Sequence, residues 1–296
     1  MKRRRDPAAV NSDIIRRPIQ RCAPIFLWPM VAAFCIGFIW PFAQGLFLSF
    51  TKFKTTSKWT WVGLDNYVKA LADESFRYSF GYTALYAIVS VILINVLAFA
   101  VAYALTQKIK GANLFRTVFF MPNLIGGIVL GYIWSMIFDG LLSGYGKSIL
   151  TDSTWGFWGL VILMCWQQIG YMMIIYIAGL QSIPTSYLEA ARIDGASESR
   201  ILWQIKIPNV MPSITICMFL TLTNSFKLFD QNLALTGGEP NHASEMLALN
   251  IYNTFYARAG AQWKGYGQAK AVIFCLLVIA LSMIQLRATR SKEVQQ

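Results

Sequence analysis

Glu189-Ala190-Ala191-Arg192-Ile193-Asp194-Gly195, followed after nine residues by Ile205-Lys206-Ile207-Pro208, is the stretch on which this chain turns. Glu, Ala and Arg favour helix, and Leu188, Ala191, Leu202 and Trp203 give residues 185–203 an apolar side. Gly195 falls where a first short helix ends, since glycine adopts the left-handed C-terminal conformation without penalty. Pro208 suits the start of the next helix, where its missing N–H costs nothing. The expectation is a short helix-turn-helix, less apolar than the runs on either side of it.

Those runs identify the solvent. The chain has 296 residues, 56% hydrophobic and only 14% charged, against about 25% charged in soluble domains. Its mean hydropathy is +0.47. Six apolar stretches, at roughly 25–50, 80–106, 115–138, 157–180, 210–235 and 269–287, are each long enough to cross about 30 Å of hydrocarbon as a helix. Prolines 24, 29 and 41 bend or bound the first, and Pro122 falls inside the third. The reading is an all-α membrane protein of six transmembrane helices.

The net charge is +12. It is distributed as the positive-inside bias requires, not as a nucleic-acid-binding face. Sixteen Lys and Arg lie in the N-terminal tail, the loops around 108–116 and 192–206, and the C-terminus; eight lie in the alternate segments. Both termini and the Glu189 loop are therefore expected in the cytoplasm, with residues 1–24 and 291–296 as tails and the membrane domain at 25–290. No small-residue cleavage site follows a short apolar core, so the N-terminus reads as a tail running into a first span. Cys22, Cys35, Cys165, Cys217 and Cys275 are odd in number and mostly apolar in context, which fits buried hydrophobes better than disulfides or a metal site. In the external segment 51–79, Gly63-Leu64-Asp65-Asn66 reads as a turn and N-cap before a short helix. The last external loop, 236–268, is long and polar, as functional loops are.

The quoted stretch resembles the pattern E-A-A-x-x-x-G-x(9)-I-x-L-P of bacterial ABC importer permeases, with only Ile207 departing from its leucine. Gly63-Leu64-Asp65-Asn66-Tyr67, Met121-Pro122, Gly179-Leu180-Gln181-Ser182-Ile183-Pro184, Phe229-Asp230 and Leu235-Thr236-Gly237-Gly238 extend the resemblance to sugar permeases of the maltose and multiple-sugar class, across about residues 22–290. Glu239 stands where the family commonly has another residue before Pro240. The resemblance implies a type I ABC importer permease fold. It makes 184–208 a coupling loop whose Glu189, Ala190, Ala191, Arg192, Asp194 and Gly195 dock in an ATPase subunit. It also implies the partners: a second homologous permease, an ATPase dimer holding ATP and magnesium, an extracellular solute-binding protein, and a sugar, with an oligosaccharide expected. This chain itself is expected to carry no cofactor, metal or catalytic set, in the bacterial cytoplasmic membrane.

Polar residues at membrane depth are costly unless they face protein or water. Thr221, Ser225 and Leu228 share one helical face at i, i+4 and i+7; Gln167, Gln168 and Tyr171 cluster in the fourth span, and Asn123 follows Pro122. Amides and hydroxyls suit sugar hydroxyls. From the resemblance, Gln167, Gln168, Tyr171, Thr221, Ser225 and Leu228 fall on sugar-pocket positions, with Asn123 and Gly127 on related ones. Interhelical bonding is the competing reading for each. Gly127-x-x-x-Gly131 points to helix packing, and Lys227 and Asp230 to a structural ion pair at i, i+3.

Rival classes find less. Gly140…Gly146-Lys147-Ser148 has five residues between its glycines where a phosphate-binding loop needs four, and no strand precedes it. His242 has no evident triad or metal partner. An ion-coupled secondary transporter needs intramembrane carboxylates or an inverted repeat, and neither is evident.

Overall fold

A computed structural model describes residues 25, 27–107 and 109–290. The two expected tails, with Cys22, Pro24 and Lys108, lie outside the described residues. The chain runs through α1 (Leu27–Leu48), a hairpin of β1 (Thr51–Thr55) and β2 (Lys58–Trp61), α2 (Asp65–Ala72), α3 (Glu74–Leu105) and α4 (Ala112–Phe120). A 3-10 turn (Met121–Leu124) leads to α5 (Gly127–Ser143), α6 (Ser153–Gln181) and α7 (Thr185–Ile193). Then follow α8 (Glu198–Asn209), α9 (Met211–Phe226), α10 (Asp230–Leu235), α11 (Leu247–Tyr252) and α12 (Ala261–Arg290).

Among the described residues, α1, α3, α6 and α12 are each long and apolar enough to cross a bilayer alone. The third and fifth expected spans are not single rods. Residues 112–124 meet α5 at 101°, and α8 meets α9 at 68°. Pro122 ends a segment instead of kinking one, because the chain leaves the 3-10 turn in extended geometry at Ile125. The fifth span stops at Phe226, not 235, and α10 is a separate helix. With helical geometry interrupted at Lys227–Phe229, the i, i+3 relation fails, and Lys227 and Asp230 form no ion pair. The sixth span starts at Ala261, eight residues before the hydropathic run.

The core lies between α3, α6 and α9. On α3 all the buried residues but Ala87 recur every three or four positions: Phe76, Ser79, Thr83, Tyr86, Ser90, Ile94, Ala98, Ala102 and Leu105. This is one helical face. Several of its members are hydroxyls, so hydropathy alone does not mark it. Leu160, Leu163, Met172, Met173 and Tyr176 of α6 pack against it. Small residues set the closest approaches. A methyl group on Gly170 of α6 would sit 1.8 Å from the Phe119 carbonyl oxygen, so the end of α4 crosses α6 backbone to backbone.

Asp73 and Asp152 cap α3 and α6, accepting the Ser75 and Thr154 N–H groups at 3.0 and 2.8 Å. The hairpin, unforeseen in an all-α reading, is tied to α2 by Asn66, whose amide donates to Ser49 O and Thr51 O at 2.9 Å each.

Candidate functional site

The loop between α6 and α9 is built as a cap. Buried Ile183 anchors its start, and Leu188 and Ala191 turn one side of α7 inward. At its end the Ala196 N–H donates to Ala191 O at 2.9 Å and the Gly195 N–H to Arg192 O at 3.1 Å. These are the two bonds of a Schellman motif. Gly195 takes φ +75° there, the left-handed conformation its position demands. Arg192 then closes the turn on Glu198, with Nε and NH2 both 3.0 Å from Oε1. Ser197 caps α8 by accepting the Arg200 N–H, Ile201 is buried, and Lys206 lies 4.7 Å over the Tyr103 ring.

The outward side is exposed and mixed. Tyr187, Ala190 and Ile193 share it at i, i+3 and i+6, flanked by Glu189, Arg192 and Asp194. Ile193 is 86% exposed. All six expected contact residues lie on this one loop. Ala191 is half-buried, and the other five are exposed.

The eight expected pathway residues divide into three groups. Gln167 staples the two breaks: its amide donates to Ile125 O at 3.3 Å, and its oxygen accepts from Gln231 at 2.8 Å. Gly127 lies beside it, its α-carbon pressed against Asp230 and Gln231, and Gly131 likewise against Ala234, so α5 and α10 pack through small residues. A second group is half-open. Gln168 accepts from Asn224 at 3.4 Å, Tyr171 is half-buried against the core, and Asn123 is half-buried in the 3-10 turn.

Thr221, Ser225 and Leu228 form the third group and are all buried. Thr221 donates to Cys217 O and accepts from Asn95 at 2.8 Å; Asn95 in turn accepts from Tyr176 at 2.7 Å. Thr221 and Ser225 therefore face the chain's own α3–α6 core, and Leu228, which the break after α9 removes from their helical face, is buried in that core beside them.

A charged cluster that the sequence reading missed lies at the other end of α3 and α12. Lys270, with no exposed surface, sits 2.7 Å from Asp73 and donates to Asn250 Oδ1 and Thr254 Oγ1 at 2.9 and 3.1 Å. The buried Glu245 carboxylate accepts from Asn250 at 2.9 Å and from Asn253, and lies 3.5 Å from His242 Nδ1. Burial opposes ionisation of Asp73, but hydrogen bonds from Lys270 and Tyr266, the Lys270 charge and the Ser75 N–H together hold its carboxyl below the ordinary value. One signal was in the sequence: a lysine beside an apolar run needs a partner. The partner itself is about 200 residues away in the chain, beyond any local pattern.

Residues 110–291 match the family of binding-protein-dependent transport system inner membrane components. The chain is 40% identical over 279 residues to the probable starch degradation products transport system permease protein AmyD of Thermoanaerobacterium thermosulfurigenes, covering 92% of this chain and 94% of that protein. It is 32% identical over 269 residues to the multiple sugar-binding transport system permease protein MsmF of Streptococcus mutans, covering 88% and 92%. A crystal structure of a bacterial ABC transporter involved in the import of the acidic polysaccharide alginate superposes with TM-score 0.79 at 18% identity, covering 94% and 98%. The chain belongs to this family of inner membrane transport components and has the type I ABC importer permease fold.

Proposed function

We propose that this member of the family is one permease subunit of an ATP-driven, binding-protein-dependent importer of a sugar, with an oligosaccharide as cargo. The observation that carries the reading is the α7 loop. A rigid, Schellman-closed helix offers Tyr187, Ala190 and Ile193 at the end of the bundle, with Glu189, Arg192 and Asp194 around them. Among the described residues nothing covers Tyr187, Ala190 or Ile193, and that surface suits the cleft of a separate ATPase. The names of the relatives, which speak of starch degradation products and multiple sugars, support the substrate class.

In this reading a second homologous permease completes the pore, and α1, apolar and almost wholly exposed, faces lipid and that partner. The Lys and Arg asymmetry supports a cytoplasmic position for α7 and both termini. ATP and magnesium belong to the ATPase dimer, and the solute-binding protein docks at the hairpin end. Movement of the ATPase tilts α7 as a lever, and the bundle alternates between outward-open and inward-open states. Asn123, Gln168 and Tyr171 line the sugar's path. Gln167, Gly127, Thr221, Ser225 and Leu228 support that lining through the breaks and the core.

The test is a mild-detergent pull-down of the tagged chain from its native membrane, with mass spectrometry of what accompanies it. Recovery of a second permease and a nucleotide-binding ATPase is expected. Recovery of this chain alone, repeated under crosslinking, would overturn the reading.

A further inference from the structure

The end of α11 and the turn that follows it, Asn253–Ala257, have two working faces. Asn250 and Thr254, at i, i+4, are buried and bound to Lys270. Tyr252 and Tyr256, also at i, i+4, point the other way, 40% and 69% exposed, with ring centroids 4.9 Å apart. Tyr252 lies 5.0 Å from the ring of Phe229, which occupies the break between α9 and α10. The three rings wall a cavity of about 340 Å³ that also takes in Gln268 of α12. Among the described residues, neither tyrosine hydroxyl nor the Gln268 amide has a hydrogen-bond partner.

We propose that this aromatic shelf is a carbohydrate subsite beside the α9–α10 break, taking one ring of an oligosaccharide. It rests on the sugar-importer reading above. Three features select that ligand class. Aromatic faces pack against the C–H face of a pyranose, as they do against other apolar surfaces. A free amide and two free hydroxyls supply donors and acceptors for sugar hydroxyls. Small-molecule sites pair a largely apolar lining with a few such groups, and the volume admits about one sugar ring. The mount is braced from behind: Lys270, paired with Asp73, donates to Asn250 and Thr254 on the opposite face of the same segment, which limits the ordering a ligand must impose.

The test uses the complete transporter in nanodiscs, with its binding protein, and measures uptake of disaccharide and hexasaccharide members of the maltodextrin, cellodextrin and xylan ladders. Tyr252→Ala, Tyr256→Ala and Gln268→Ala should each raise the half-saturating concentration of the transported hexasaccharide about 3- to 10-fold. The matching disaccharide should stay within about twofold, because it is too short to occupy the shelf and the path lined by Asn123, Gln168 and Tyr171 together. Tyr256→Phe should retain most of the wild-type affinity. Co-purification of the ATPase confirms assembly of each variant. Equal losses for both sugar lengths, or weaker binding of the binding protein itself, would make the shelf a protein-docking surface and overturn the proposal. Unchanged kinetics in all three variants would make it an interfacial aromatic belt, and would overturn it too. A wild-type complex that takes up no member of any ladder would instead sink the sugar-importer reading, and the shelf with it.

Discussion

Gln231 donates its side-chain amide to Gln167 Oε1 at 2.8 Å, and Gln167 donates to the Ile125 carbonyl at 3.3 Å. One side chain in the middle of α6 thus holds the break before α5 and the helix after the break that ends α9. Broken helices survive at membrane depth when other groups satisfy the backbone they free.

Gln167→Leu should therefore loosen both breaks. A buried acceptor left without its donor costs about 1–3 kcal/mol, so a lower melting temperature of the purified complex is expected, with slower uptake. A variant that melts with the wild type would show that the breaks hold without this amide.

Gly170→Ala should be far more damaging than its single methyl suggests. The added carbon would meet the Phe119 carbonyl at 1.8 Å, and backbone on both sides leaves no rotamer to yield. Overpacking typically costs about 1–3 kcal/mol, and a contact this short should exceed that. Loss of the folded monomer on size-exclusion chromatography is the expected result; a normal elution profile would contradict the α4–α6 crossing.

At Gly195 the conformation, not the space, decides the outcome, since nothing lies within 4 Å of an added methyl group. Gly195→Asn should preserve ATPase stimulation by the loaded binding protein, because asparagine tolerates the left-handed region. Gly195→Val should abolish stimulation while membrane insertion persists, since a left-handed non-glycine residue costs about 1–2 kcal/mol. Equal stimulation in both would separate the loop's shape from its coupling role.

Asp73 gives a pH signature. Its folded-state pKa is depressed, so its stabilising contribution is fully present above the unfolded carboxylate value near 4 and is lost as pH falls through the lower folded value. Asp73→Asn leaves Lys270 buried with one ionic partner fewer, a change that costs about 3 kcal/mol in comparable pairs. Melting curves should show a large wild-type advantage at pH 7 that narrows only below about pH 4. An advantage that disappears between pH 5 and 7 would point to a different titrating group.

Glu189→Lys on the exposed side of α7 should leave assembly of the two permeases intact and eliminate stimulated ATPase activity. The readout is phosphate release with and without loaded binding protein. Normal stimulation in a well-assembled complex would count against docking through this face.

What the sequence determined by itself was local. Apolar runs of sufficient length specify membrane helices because hydrophobic transfer is additive along a segment. The helix α7 and its glycine cap were legible, since both are contiguous in the chain, but Pro208 does not start the next span as its type suggested: it lies inside α8, and α9 starts at Met211. Only the tertiary structure decided which polar residues face inward. Hydropathy reports how much apolar surface a helix has, not whether lipid or protein covers it. Thr221 and Ser225 satisfy a one-face pattern equally well against a watery path and against a core in which Asn95 bonds to Thr221 and Tyr176 to Asn95. The same limit hid the breaks at 125–126 and 227–229: the Ile125 carbonyl freed at the first is satisfied by Gln167, and Gln231 beyond the second bonds that same distant side chain. It also hid the Lys270–Asp73 pair, because an ion pair between the ends of two spans is a property of their packing and leaves no period in either one.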